Sequence, residues 1–144
     1  MTDKSDKLVA HINRKQWWHV PPQDAAAYRK RGAFYAAIFH EAEFWGRPLN
    51  EPQRVKVSNP IIGDEDGIET ELFGRPVPAP DAHSRTVLEW RWRLDAKMKK
   101  AALAEGYDSI VLMTPVAFAA YTGHGKIPRS IELNVLKPPR THKM

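Results

Sequence analysis

The sequence predicts a single α+β domain, on three observations: one long amphipathic helix, several short segments of strand character, and no regular alternation of the two. The helix is expected over residues 84–105. Ser84 suits its N-cap and Gly106 its stop, while Val87, Trp90, Leu94, Met98 and Ala101 recur at three- and four-residue steps as one apolar stripe. Strand character is found in QWWHV at residues 16–20, in the alternating RVKVS at 54–58, and at 109–114 and 130–136.

The connecting elements follow from local signals. Pro21 and Pro22 open a short helix that Gly32 closes after the basic run Arg29, Lys30 and Arg31. Residues 33–38 read as a short strand or an extended turn, and residues 40–45 as two helical turns ended by Gly46. Asn59-Pro60 stops the RVKVS strand, and from there to Pro80 an irregular loop is expected, first acidic (GDEDGIETE), then proline-rich (RPVPAP). A second, glycine-containing loop is expected around residues 122–126. The domain is placed over residues 8–138, with residues 1–7 and 138–144 as flexible tails.

A length of 144 residues suits one core. The absence of cysteine excludes disulfides, thiolate metal sites and a cysteine nucleophile. No apolar run reaches the roughly 20 residues of a membrane-spanning helix, and MTDKSDKLVAH lacks the apolar centre of a signal peptide, so a cytoplasmic protein with no membrane partner is expected. A formal charge of +5 favours an anionic partner.

Three motif readings fail on spacing. His40-Glu41 opens like a zinc-protease helix, but Phe44 stands where the second histidine is needed. Asp64, Glu65, Asp66, Glu69 and Glu71 lack the ligand order of a calcium loop and read as a solvated loop. GHGK at residues 123–126 lacks the preceding glycine spacing and the following Ser or Thr of a phosphate loop.

Three segments in order remain: WWHVPP; RGAFYAAIFHEAEFWG followed by QRVKVSNP; and EGYDSIVL followed by RSIELNVLKP. Together they resemble the small ADP-ribosyltransferase-like family, including its phage-associated and toxin-like members. The resemblance covers residues 16–138. It implies a small mixed or antiparallel split sheet with flanking helices, NAD as co-substrate, no metal, and transfer of ADP-ribose to an unidentified protein or nucleic acid. It also implies His19 as the histidine that holds the NAD ribose, Tyr35 as the aromatic that packs on nicotinamide, and Glu132 as the catalytic acid. Two departures stand out: Val20-Pro21 replaces the Gly-Thr that often follows the histidine, and the spacing from His19 to Tyr35 is short. His11 is an alternative histidine with a longer spacing.

The chemistry accounts for such a set. Breaking the bond from nicotinamide to ribose builds positive charge on the sugar, which a fixed carboxylate stabilises, as in glycoside hydrolysis. Tyr35 or Phe34 offers a π face to the pyridinium, His19 hydrogen-bonds a ribose, and Arg14, Lys15, Arg29 or Arg31 neutralises the pyrophosphate. Each residue also has an ordinary reading: His19 and Tyr35 as core side chains, Glu132 as a solvent-facing strand residue.

A competing function rests on WRWRLDAKMKK, where two tryptophans alternate with five basic residues in the pattern of a nucleic-acid-binding helix. The ordinary reading is a helix with inward tryptophans and a solvated basic side. A catalytically silent member of the same fold that binds a partner protein is a third alternative.

Overall fold

The computed structural model describes residues 3–19, 32–36, 52–78 and 84–136. These form a six-stranded mixed sheet covered by helices, in the chain order α1 (Asp3–Arg14), β1 (Gln16–His19), β2 (Ala33–Ala36), β3 (Gln53–Arg54), β4 (Pro60–Gly63), α2 (Glu65–Phe73), α3 (Ser84–Ala104), β5 (Ser109–Leu112), α4 (Pro115–His124) and β6 (Glu132–Val135). The strand order is β3-β1-β2-β6-β5-β4. Every neighbouring pair is antiparallel except β4 with β5. The α+β class therefore holds, and the strands join in one sheet rather than a split one. The expected helix after Pro22, the turns at residues 40–45, Arg29, Arg31 and the tail 138–144 lie outside the described residues. Among the described residues no helix is long and apolar enough to cross a membrane.

Two apolar layers sandwich the sheet. On one face Leu8 and Ile12 of α1 and Tyr121 of α4 pack against Trp17, Tyr35, Val111 and Leu133. On the other, Ile68 of α2 and Leu94, Met98 and Ala102 of α3 pack against Ile61 and Ile110. Ile110 and Val111 are sequence neighbours in opposite layers, as the two-residue period of a strand requires. The α3 stripe runs as expected through Leu94 and Met98, then continues to Ala102, while Ala101 is only half-buried.

Four expectations are corrected. Residues 3–7 belong to α1, because the i, i+4 pair Leu8 and Ile12 anchors a helix that extends back to Asp3. The strand expected at 54–58 ends at Arg54: the Asn13 side chain takes both backbone groups of Val57, donating to its carbonyl at 2.8 Å and accepting from its N–H at 2.8 Å. The expected loop from Asn59 to Pro80 contains β4 and α2. Asp64 caps α2 by accepting from Gly67 N–H at 2.7 Å, the acidic pair Glu65 and Asp66 suits the positive helix N-terminus, and Gly74 closes the helix at φ +86°. The loop around residues 122–126 is partly α4, which Thr114 caps onto Ala117 N–H, Pro115 starts and Gly125 ends at φ +70°. The glycine-lysine run there is thus a helix terminus.

The parallel β4–β5 pair is clamped where it begins. The Asp108 carboxylate accepts from Ser58 N–H at 2.7 Å, the Ser58 hydroxyl at 2.9 Å, Asn59 N–H at 3.0 Å and the Ser109 hydroxyl at 2.8 Å. Partial burial alone would raise the Asp108 pKa, but these donors outweigh it and hold the carboxyl below its ordinary value. The unfolded chain then binds the proton more tightly, so this stabilisation is complete above the ordinary carboxylate range and is lost as pH falls through the folded pKa, below about pH 4. Asp108→Ala is expected to cost about 1–3 kcal/mol near neutrality, discounted for partial exposure, and to flatten the acid limb of stability. Urea unfolding at neutral and acid pH checks both effects.

Candidate functional site

The three strands that carry the sequence-derived site residues are consecutive in the sheet. His19 of β1 pairs with Tyr35 of β2, and Ala36 of β2 pairs with Glu132 of β6. All four residues therefore lie within two strand spacings, each about 4.8 Å. The pleat then divides their side chains between two faces.

His19 and Tyr35 project into the layer of α1 and α4. They are 1% and 3% exposed and stack on each other, with ring centroids 4.6 Å apart and planes inclined by 28°. His19 Nδ1 lies 2.9 Å from the Phe34 carbonyl, an acceptor, which places the ring proton on Nδ1. The pair joins β1 to β2 inside the core. His11, the alternative histidine, sits on α1 and is half-buried; burial first, then Lys15 and Arg14, lower its pKa.

Phe34 and Glu132 project to the opposite face, under α3. With Asn134 they line a small void of about 20 Å³ whose other wall is Arg91, Asp95 and Met98. Phe34, Glu132 and Arg91 are all half-buried. The sheet thus stands between Glu132 and the His19–Tyr35 pair, and the structure brings Glu132 together with Phe34 instead.

Arg91 is the electrostatic centre of this wall. It bonds Glu65 of α2 and lies 3.2 Å from Asp95 one helical turn along. Burial opposes its charge, but Asp95, Glu65 and Glu132 more than restore it, so the guanidinium is held above its ordinary pKa. Among the described residues three carboxylates, Asp95, Glu65 and Glu132, act on Arg91, in a chain whose total charge is +5. This cluster was invisible in the sequence because its members come from α2, α3 and β6.

A neighbouring side of α3 is lined by cations among the described residues. A cavity of about 410 Å³ lies between α3 and the segment that follows α2. Phe73, Val77, Trp90, Leu94, Pro76 and Pro78 form its apolar lining, and exposed Arg75, Arg93 and Lys97 line it too. Glu69, 2% exposed, holds the near wall by accepting from Val77 N–H at 2.7 Å; burial pushes its carboxyl pKa up, with that bond opposing. Trp92 is 45% exposed, so only one tryptophan of WRWR packs inward.

Arg14 and Lys15, the described candidates for pyrophosphate contact, flank the junction of α1 with β1. The Arg14 carbonyl accepts from Arg54 at 3.0 Å. Comparison with protein-family models, with curated proteins and with solved structures finds no match to this chain.

Proposed function

We propose that this chain is an ADP-ribosyltransferase-like enzyme that uses NAD as co-substrate, with Glu132, Phe34 and Arg91 on one wall of its site. The reading is supported by one observation above others: an aromatic ring, Phe34, and two described carboxylates, Glu132 and Asp95, stand together on one wall within a basic protein. Such a wall favours a positively charged pyridinium and the positive charge that grows on ribose as the bond breaks.

In the proposed step the bond from the ribose C1′ to the nicotinamide nitrogen breaks, and its electron pair leaves with nicotinamide, which departs neutral. A lone pair of the acceptor forms the new bond to C1′, and the acceptor's proton passes to solvent. Glu132 stabilises the oxocarbenium-like sugar between these events. Arg91 holds Glu65 and Asp95 and places a positive charge near Glu132. The void of about 20 Å³ admits a water-sized group only, so the dinucleotide would lie across the half-exposed edge of this wall. In this reading His19 and Tyr35 are positioning residues that hold β1 against β2.

Binding is tested by thermal unfolding with increasing NAD. A saturable rise in Tm is expected, equivalent to about 2.7 kcal/mol at a hundred times Kd, and Phe34→Leu should weaken it. No shift at millimolar NAD would remove the co-substrate and the reading with it.

A further inference from the structure

The 410 Å³ cavity beside α3 is separate from the transfer wall in both lining and charge. Its volume falls within the roughly 300–1,000 Å³ typical of sites for small organic groups. The apolar part is made of two aromatic residues, Phe73 and Trp90, with Val77, Leu94, Pro76 and Pro78, and its two rings suit a flat ring. Its charged lining, among the described residues, is cationic throughout: Arg75, Arg93 and Lys97.

The cations have a regular arrangement. Arg93, Lys97 and Lys100 follow at i, i+4 and i+7, so they form one exposed row along α3. Trp92, two residues after Trp90, points to another side of α3 and takes no part in this face. A pocket with two aromatic rings and an adjacent line of cations match the bases and phosphates of a nucleic-acid strand.

We infer that this face of α3 binds single-stranded nucleic acid, with one base inserted between Phe73 and Trp90 and the flanking phosphates on Arg75, Arg93 and Lys97. A base must leave its stack to enter such a pocket, so a single strand is accepted and a duplex is disfavoured. The inference does not depend on the transfer reading, and NAD has no part in its test.

The test measures binding of the full chain to four probes: a short labelled DNA single strand, the same strand with one central abasic site, its blunt duplex, and a nucleoside monophosphate as competitor. The intact strand is expected to bind with a log–log salt slope of about −2, from three phosphate contacts on a single strand. Removing the central base should weaken binding about tenfold. Arg93→Ala with Lys97→Ala, both at exposed positions, should flatten the slope toward about −0.7. Equal affinity for the intact strand, abasic strand and duplex would overturn base insertion. A monophosphate as tight as the strand would overturn the strand in favour of a free nucleotide, and no binding of any probe at low salt would overturn the site.

Discussion

Glu132→Gln is expected to lower nicotinamide release from NAD by about 10²–10³-fold, the loss typical of removing one group aimed at transition-state charge. The substitution keeps the shape of the side chain and removes its charge. Arg91 retains Glu65 and Asp95, so the guanidinium stays paired and the fold should stand. Tm therefore separates the two explanations of lost activity: release should collapse at a nearly unchanged melting temperature. Release at the wild-type rate would remove Glu132 from the chemistry. Tyr35→Phe supplies a contrast, because Tyr35 lies on the other face and the variant keeps its ring; it should leave the rate within a few-fold.

The largest stability effect is expected at Gly32. This residue has φ +93° immediately before β2, and a Cβ there would stand 2.1 Å from Asn134 Oδ1 and 3.0 Å from the Val135 carbonyl oxygen. Gly32→Ala thus combines backbone strain with a clash against β6, the neighbouring central strand, and is expected to cost roughly 3 kcal/mol or more. For a chain of this length that corresponds to a fall in Tm of about 10 °C. Gly123→Ala gives the opposite case. A Cβ at Gly123 meets nothing within 4 Å, and the residue is helical, so that variant should be neutral or stabilise by up to about 1 kcal/mol. Urea unfolding of both variants measures the difference.

Elements with a long or unbroken pattern were legible in the sequence. The stripe of α3 and the apolar runs of β1, β5 and β6 needed only periodicity. The helices α2 and α4 were missed because their signals resembled those of loops. GDEDGIETE reads as a solvated acidic stretch until Asp64 is recognised as a cap and Ile68 as its buried contact. In α4, Thr114-Pro115 marked a helix start, but the small residues of PVAFAAYTGH carry little periodicity.

Two motifs behind the family resemblance turn out to meet. Asn59 donates its backbone N–H to Asp108 and its side-chain amide to the Gly106 carbonyl at 2.9 Å, so Asn-Pro and Gly-Tyr-Asp form the two halves of one clamp. Sequence order shows both motifs but not their contact. The candidate site was legible at the level of strands and not of faces. His19, Tyr35 and Glu132 fall on adjacent strands, which motif order alone does not give, and a one-residue change of register moves a side chain to the other side of a sheet. The choice between Phe34 and Tyr35, open in the sequence, depends on that register.

The place of β6 has a consequence for how the chain is made. β6 lies between β2 and β5, and among the described residues it joins β3-β1-β2 to β5-β4 within the sheet. During synthesis both partial sheets emerge before the strand that joins them, so the edges of β2 and β5 that β6 fills are open until then. Release of the β6 segment from the ribosome is then the event that commits the domain to its fold, and a chain stalled before Ser130 would be a target for chaperones and proteases rather than a partly active protein.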